Sequence, residues 1–309
     1  MKKNIIVEIS EGLGNQMFMY AHAYALSREL NYNLIIDNKS GYSKNKNLLR
    51  SHQKYMLDNF CLEGFVAENK NIYDTTYKRT KKKVMIFLDN FFKKKNFLIE
   101  KKYFIDSKKY AKNYLELDPN KISNNFYIQG NFENCNYFEK YKKDLQKIFT
   151  IKDNKINNDN FLIDEIKKTN SISIHIRRNR FSDQSNLIDE KNIKESETFT
   201  KLTIEYINRS INYFNNRVKN PEYFIWTNDN ENIDVILDQI DLRKPVLIYT
   251  NALNDFNLFK YCKHFIVGPS SYHWWGAWLN NYPDKICVRP KNINQSNNNE
   301  FWPDYWISI

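Results

Sequence analysis

Short apolar segments typical of buried β-strands alternate with helical segments along most of this 309-residue chain. At the N-terminus, NIIVEI at 4–9 precedes a glycine-containing loop, a helical pattern from Asn15 to about Leu30 and a strand at 33–37. Further strands, separated by helical segments, are expected at 171–176, 222–227, 245–250 and 264–268. Because parallel strands need crossover helices, this alternation predicts an α/β chain built on parallel sheets.

Two doubly wound domains are expected from the length and from a shift in composition. Hydrophobic residues make up 41% and aromatic residues 16% of the chain, which is enough for sizeable cores and excludes a globally disordered protein. The polar stretch KDNKINNDN at 152–160 is the best boundary, so we expect domains at 1–155 and 156–309. Two such domains facing each other would leave a cleft between them.

The net charge of +11 invites nucleic acid as a partner, and 21 tyrosines and 21 phenylalanines would suit stacking on single-stranded bases. Against this alternative, the aromatic residues follow core periodicity and three of the few arginines fall in a single loop. Salt-dependent binding of oligonucleotides would support it.

The sequence shows no sign of export, membrane insertion or a metal site. The segment MKKNIIVEIS lacks the features of a signal peptide, and no stretch of about 18 apolar residues occurs. The cysteines are widely spaced and lack the Cys and His spacing of a metal site. We therefore expect a cytoplasmic protein with reduced thiols and no bound metal.

Three arginines lie within four residues in HIRRNRF at 175–181, directly after an expected strand. Ligands of open α/β sheets bind at the carboxyl ends of strands, and guanidinium groups bind phosphate through paired hydrogen bonds. The loop therefore predicts a site for an anion such as pyrophosphate, and a surface salt-bridge cluster is the alternative.

The segment GPSSYHWWGAWL at 268–279 combines two serines with three tryptophans. Ser270 and Ser271 can cap a helix whose free N–H groups also attract phosphate. The tryptophans stand at helical spacing, which favours a place in the core over a sugar-binding platform. The serine pair is the predicted ligand contact.

Two further segments give weaker signals. EGLGNQ at 11–16 places two glycines at a strand-to-helix turn, where the backbone can approach a ligand, but it is neither a GxGxxG nor a Walker motif. WTNDN at 226–230 carries Asp229, whose carboxylate could accept a hydrogen bond from a sugar or a base, or could simply form a turn.

Together these segments resemble glycosyltransferase family 11, the bacterial α-1,2-fucosyltransferases. GLGNQMFMYA at 12–21 is similar to the family's GLGNQMFQYA, HIRRNRF to its HxRRGDY, and SSYHWWGAWL at 270–279 to its SSFSWWGAWL. IWTND at 225–229 and GNFENCNYF at 130–138 are similar to its F-S-D-D and GYWQSEKYF. The matches keep the family's order over almost the whole chain.

The resemblance implies a GT-B architecture of two facing Rossmann-like domains, with the donor in the C-terminal domain. It implies inverting, metal-independent transfer of L-fucose from GDP-fucose to the 2-hydroxyl of a galactoside in a bacterial surface glycan, such as O-antigen, lipopolysaccharide or capsule. The implied partners are GDP-fucose and an oligosaccharide or lipid-linked acceptor, with no cofactor and no nucleic acid. The rival within the GT-B class is a transferase for another sugar nucleotide or linkage.

Site residues follow from the motifs and from the chemistry that an inverting transfer needs. The donor contacts implied by the resemblance are His175, Arg177, Arg178, Asp229, Ser270 and Ser271. Gly14 and Gln16 are assigned to the acceptor side. The residues assigned to catalysis are Arg178, Glu11 and Asn15, and none is assigned to a metal.

The chain departs from the family pattern at two places. Asn179 and Arg180 replace the family's Gly-Asp, so a cation stands where the family has a carboxylate. Glu11 stands where the family usually has Gly, and since an inverting transfer needs a base near the acceptor hydroxyl, Glu11 and Glu8 are the base candidates. His22 and His273 are interpreted as packing or acceptor-side residues.

The lysine-rich stretch at 77–97 has an apolar centre flanked by lysines. This is the pattern of a helix lying on anionic lipid, which would place the enzyme on the inner face of the cytoplasmic membrane. The favoured interpretation is a helix packed in the N-terminal domain with its lysines solvated.

Overall fold

The computed structural model describes residues 2–43, 54–100, 117–156, 159–177, 190–228, 233–242, 244–291, 293 and 299–309. The chain divides into a first unit of Met1–Thr150 with Ser296–Pro303 and a second unit of Ile151–Gln295 with Asp304–Ile309. The main division therefore falls at 150–151 instead of the expected 155–156, and the chain returns to the first unit near its C-terminus. Burial explains this return, because the ring of Phe301 lies 5.9 Å from that of Phe18 in the first unit's core.

Helices and strands alternate as the sequence predicts. The described helices are α1 (Leu13–Leu30), α2 (Thr76–Leu88), α3 (Lys142–Ile148), α4 (Asn160–Lys168), α5 (Glu190–Asn215), α6 (Asp234–Leu237), α7 (Ala252–Phe259) and α8 (Ser271–Leu279). The described strands are β1 (Asn4–Glu8), β2 (Asn33–Asp37), β3 (Phe65–Val66), β4 (Lys95–Ile99), β5 (Ile122–Gln129), β6 (Asn170–Ile176), β7 (Pro221–Thr227), β8 (Val246–Ile248), β9 (His264–Ile266), β10 (Cys287–Arg289) and β11 (Ile307–Ser308).

The first unit is built on a parallel sheet whose described strands follow the order β3-β2-β1-β5-β4. Helix α1 follows β1 and is buried along almost its whole length. It ends at Asn31 in the left-handed conformation, with the N–H of Tyr32 donating to the carbonyl of Ser27 at 2.8 Å, as in a Schellman motif. The strand order reverses at β1, so the carboxyl ends of β1 and β5 flank this sheet's topological switch point.

The second unit is built on a parallel sheet whose described strands follow the order β11-β10-β9-β6-β7-β8. Counted within this unit, the order is 3-2-1-4-5-6, which is the Rossmann arrangement. Its switch point lies between β6 and β9, where crevices outside the strand ends bind ligands in such sheets.

The tryptophans of α8 lie in the core of the second unit, as the helical spacing predicts. Trp274, Trp275 and Trp278 are fully buried, and the rings of Trp274 and Trp278 stack 5.8 Å apart. Gly276 lets α7 approach closely, because a Cβ there would lie 2.6 Å from the ring of Phe259. The four cysteines (Cys61, Cys135, Cys262 and Cys287) are free, as expected.

The described helices include none that combines the length and the apolar character needed to cross a membrane.

Candidate functional site

Arg177 and the serine pair lie at the switch point of the second unit. Strands β6 and β9 are parallel neighbours, with Ile174 opposite Ile266. Arg177 follows β6, and the turn formed by residues 267–271, which we call the C-terminal turn, follows β9. A Cβ on Gly268 would lie only 3.0 Å from the carbonyl oxygen of His175, so glycine permits this close approach.

His175 is buried beside the C-terminal turn. Its ring meets Tyr272 edge to face at 5.5 Å and lies 5.8 Å from the ring of His273. Burial, reinforced by the charge of Arg177, lowers the pKa of His175 to about 3, so the imidazole is neutral near pH 7. Its buried Nδ1 has no hydrogen-bond partner among the described residues, which is unusual for a buried polar atom.

His273 is fully buried in the first turn of α8 and packs within the second unit. Its Nε2 lies 2.8 Å from the hydroxyl oxygen of Ser173 on β6. Burial lowers its pKa well below the usual range for histidine. Its Nδ1, like that of His175, has no hydrogen-bond partner in the part of the chain that the structure describes.

Ser270 occupies the cap position of α8, as predicted, in an extended conformation. Its carbonyl accepts from the N–H of Trp274 at 3.0 Å, which begins the helix. The Ser270 side chain makes no capping hydrogen bond, although it and Ser271 are both buried. The N-terminus of α8 is therefore not closed by the Ser270 side chain, in contrast to the usual role of a cap serine.

Several predicted donor residues lie outside the described residues. These are Arg178, Asp229 and the departing pair Asn179 and Arg180. Their assignments stay predictions.

In the first unit, Glu11 and Asn15 are neighbours in the turn that joins β1 to α1. We call residues 9–16 the N-terminal turn. The amide Nδ2 of Asn15 donates to the carboxylate of Glu11. Glu11 has a φ of 64°, a left-handed conformation that costs a non-glycine residue free energy and is often found at functional sites. This is the position at which the family usually has Gly.

Gln16 stabilises the same turn through hydrogen bonds to the backbone. It is fully buried, and its Nε2 donates to the carbonyls of Glu11 and Lys54 at 2.9 and 2.7 Å. Its Oε1 accepts from the N–H of Met56 at 2.9 Å. Gly14, also assigned to the acceptor side, is buried in the first turn of α1. The geometry favours a structural role for Gln16 over direct acceptor contact, because both ends of its amide are bonded to the backbone.

Glu8, the second base candidate, belongs to a buried cluster at the carboxyl ends of β1, β2 and β5. Its Oε2 lies 2.6 Å from Lys82 Nζ and accepts from the hydroxyl of Tyr127 at 2.8 Å. The same hydroxyl lies 2.7 Å from the carboxylate of Asp37. Of the two base candidates, Glu11 is the more accessible, since Glu8 is buried and ion-paired.

Sequence reasoning missed the partners of Glu8. Asp37 is the last residue of a predicted strand, and this position at the carboxyl end of a strand could have identified it as a candidate site residue. Lys82 carried no signal, because it is the middle of three consecutive lysines of which the other two are exposed.

His22 is a packing residue of α1. It is buried, with its ring stacked 4.2 Å from that of Phe132, and burial lowers its pKa to about 3. No cluster of three His, Cys, Asp or Glu among the described residues is arranged to hold a metal ion. The metal independence implied by the resemblance stays a prediction.

The model of glycosyl transferase family 11 matches residues 2–307. The chain belongs to this family. The resemblance drawn from the motifs is therefore confirmed, and the chain is a glycosyltransferase.

Two curated relatives from Escherichia coli match along almost their whole lengths. The chain is 29% identical to an alpha-1,2-colitosyltransferase, over 99% of this chain and 98% of the relative. It is 24% identical to the O-antigen biosynthesis glycosyltransferase WbnK, over 97% of this chain and 99% of the relative.

Two solved structures show a similar fold. Fucosyltransferase NodZ from Bradyrhizobium matches with a TM-score of 0.50 at 13% identity, over 94% of this chain and 95% of that structure. A mutant of Arabidopsis thaliana FUT1, solved in complex with GDP, matches with a TM-score of 0.50 at 10% identity, over 94% of this chain and 71% of that structure. The predicted fold class, α/β of the GT-B type with two Rossmann-like domains, is confirmed.

Proposed function

We propose that this family 11 glycosyltransferase transfers L-fucose from GDP-fucose to the 2-hydroxyl of a galactoside, with inversion and without a metal ion. The acceptor is an oligosaccharide or lipid-linked precursor of a bacterial surface glycan. The reaction takes place in the cytoplasm, with peripheral contact to the inner face of the membrane. The O-antigen relative and the family membership support this glycan class.

The observation that supports the donor site is that the ends of β6 and β9 lie side by side at one switch point. The segment after β6 begins with Arg177, and the segment after β9 carries Ser270 at the N-terminus of α8. Guanidinium groups and free helix N–H groups both favour a diphosphate. Ser270 has a hydroxyl that the helix does not use for capping, and His175 has a buried, neutral imidazole whose Nδ1 has no partner among the described residues.

In the proposed reaction, the acceptor oxygen bonds to the anomeric carbon of fucose as the bond from that carbon to the diphosphate breaks. Negative charge grows on the departing GDP, and we assign its stabilisation to Arg178, Arg177 and the N-terminus of α8. The acceptor proton passes to Glu11, which Asn15 orients through its amide.

Product analysis tests this reaction. The chain would be incubated with GDP-fucose and a panel of terminal galactosides, and the linkage and anomeric configuration would be read by NMR. We expect an α-1,2-linked fucosyl product, and transfer at another hydroxyl or no transfer would contradict the proposal. A titration with GDP and UDP should show preference for GDP.

Colitosyl transfer is the second candidate, because a relative at 29% identity is an alpha-1,2-colitosyltransferase. Colitose is fucose without the 3-hydroxyl, so the two donors differ at one group. A site that hydrogen-bonds that hydroxyl would reject the sugar lacking it by about 10⁴-fold in kcat/KM, whereas an apolar pocket would discriminate far less. The ratio of kcat/KM for the two activated sugars therefore decides between the candidates.

Substitution of Glu11 tests its assignment as the base. Glu11→Gly would relieve the left-handed strain and so raise stability, while removing the proposed base. We expect a stable protein with strongly reduced turnover and unchanged GDP binding. Full turnover of Glu11→Gly would exclude Glu11 as the base without touching the assignment of the donor.

A further inference from the structure

Helix α2 is oriented with a lysine toward the protein interior. Lys82 is the buried residue of this helix, with its Nζ 2.6 Å from Glu8 Oε2 and 2.7 Å from Gln129 Oε1. The ammonium also lies 4.1 Å from the ring centre of Tyr127. A buried ion pair with these partners fixes which face of the helix points inward, since turning the helix would leave a carboxylate buried without its cation.

The opposite face of the helix is apolar and exposed. Val84, Leu88 and Phe91 follow one another at spacings of four and three, so they lie along one side of α2 and the turn that follows it. Phe91 is 75% exposed and the adjacent Phe92 is 54% exposed. The favoured interpretation, a helix packed in the domain with its lysines solvated, is therefore wrong for Lys82, which is buried.

Exposed lysines flank the apolar face on both sides. Lys81 and Lys83 lie on α2, and Lys93 and Lys94 follow Phe92. Between residues 75 and 99 the sequence has one acid, Asp89. Asp89 is buried and accepts from the N–H groups of Asn96 and Phe97, so it does not offset the lysines at the surface.

We propose that this surface, formed by residues 81, 83, 84, 88 and 91–94, docks on an anionic phospholipid membrane. The aromatic and aliphatic side chains would enter the boundary between headgroups and acyl chains, while the lysines bind the anionic headgroups. A second copy of the chain fits less well, because a twofold interface would bring lysines of like charge face to face. This inference rests on the peripheral membrane contact included in the proposed function, and it names the surface that makes the contact. It is measured without donor or acceptor, so its failure would leave the proposed reaction intact.

Co-sedimentation with vesicles tests the proposal. The wild-type chain should bind vesicles of phosphatidylcholine with 30% phosphatidylglycerol and should bind pure phosphatidylcholine vesicles much more weakly. Phe91→Gln with Phe92→Gln should weaken binding by at least about tenfold, because apolar area no longer enters the membrane. Phe161→Gln is the matched control, since Phe161 is an 81% exposed phenylalanine on α4 of the second unit.

The contribution of the lysine charges to vesicle binding is tested by replacing four lysines with Gln, at Lys81, Lys83, Lys93 and Lys94. This variant spares Lys82, which is ion-paired, and Lys95, whose Nζ donates to the carbonyl of Asp89 at 2.8 Å. We expect binding to fall by about 100-fold or more. The matched control removes the same charge from exposed lysines elsewhere, at Lys143, Lys147, Lys168 and Lys194, and should retain most of the binding.

Three outcomes would overturn the proposal. One is failure of the wild-type chain to bind anionic vesicles. Another is equal loss of binding in the two lysine variants, which would indicate general charge attraction. The third is self-association in sedimentation velocity that the Phe91 and Phe92 substitutions abolish while vesicle binding stays the same, which would make the surface a contact between copies. Circular dichroism checks that each variant is folded.

Discussion

The two turns that join a β-strand to a helix both carry polar residues, but they use those polar groups differently. In the N-terminal turn, Asn15 is bonded to Glu11, and Gln16 is bonded to backbone groups of Glu11, Lys54 and Met56. In the C-terminal turn, Ser270 makes no capping bond, and the nearby His175 and His273 each keep a buried Nδ1 without a partner among the described residues.

This difference separates two reasons for placing polar residues at a turn. Buried polar groups are normally hydrogen-bonded, so the bonds of Gln16 maintain the shape of the N-terminal turn that carries Glu11. At the C-terminal turn the Ser270 hydroxyl makes no capping bond and the neighbouring His175 Nδ1 has no partner among the described residues, at the switch point of a Rossmann sheet, where ligands bind. We infer that the C-terminal turn binds the nucleotide sugar, whereas the N-terminal turn holds the proposed base Glu11 and does not bind the nucleotide.

The largest effect is expected at Arg178, the second arginine of HIRRNRF. Arg178→Ala should lower turnover by at least about 100- to 1,000-fold, because it removes a group that stabilises charge on the departing GDP. GDP affinity, measured by calorimetry, should fall while the fold is retained. Arg209→Ala, at an exposed position of α5, is the control and should behave like wild type. Unchanged turnover in Arg178→Ala would overturn the donor assignment.

Gln16→Ala should lower the stability of the protein without changing its affinity for GDP. Three backbone groups lose their partner inside the protein, so the free energy of unfolding should fall by about 2–4 kcal/mol in urea titrations. GDP affinity of the folded protein should not change. Asn208→Ala removes an amide that bonds to Gln239 and Asp241 at the surface, and it should cost less than about 1 kcal/mol. Weaker GDP binding by Gln16→Ala would contradict the conclusion that the N-terminal turn does not bind the nucleotide.

Ser270→Ala should show the reverse pattern. Its side chain makes no capping bond, so the free energy of unfolding should change by less than about 0.5 kcal/mol. Loss of a hydrogen bond to a charged phosphate should weaken GDP binding by about tenfold. If the variant lost stability and kept its affinity for GDP, Ser270 would be an ordinary helix N-cap residue and not a contact to the nucleotide.

Two buried histidines, one in each unit, provide a matched pair. Burial lowers the pKa of both His22 and His175 to about 3, so only the unfolded state takes up their protons as the pH falls below about 6.5. Each should therefore cost about 2 kcal/mol of stability between pH 7 and pH 5. His22→Gln and His175→Gln should both flatten the fall in stability with acid, measured by urea unfolding at several pH values. The variant at His175 alone should also weaken GDP binding.

The smallest effect is expected from chelation. If arginines and helix N–H groups stabilise the departing GDP, addition of EDTA should leave turnover unchanged. Loss of activity that a divalent cation restores would contradict the proposed mechanism.

Much of the fold could be read from the sequence, because apolar segments such as 171–176 and 222–227 are buried strands with strong patterns. The cap position of Ser270 and the core position of the α8 tryptophans were predictable for the same reason. The return of Phe301 to the first unit was not, because this contact joins residues distant in sequence and leaves no local pattern.

Charged residues were harder to place than apolar ones. Lys82 is buried between two exposed lysines, and only its three-dimensional partner Glu8 distinguishes it from them. Gln16 was predicted on the acceptor side, yet its amide is bonded to backbone from a segment about 40 residues away. Sequence spacing identified which segments carry chemistry, whereas the partners of individual polar atoms came from the fold.

Hydrogen–deuterium exchange with and without saturating GDP tests the central claim most directly. We predict slower exchange with GDP in peptides covering 170–177 and 264–273, which contain the end of β6 and the C-terminal turn. Peptides covering the N-terminal turn at 9–16 should exchange equally in both conditions. Protection confined to residues 9–16, or no protection at the C-terminal turn, would contradict the assignment of the nucleotide-sugar site.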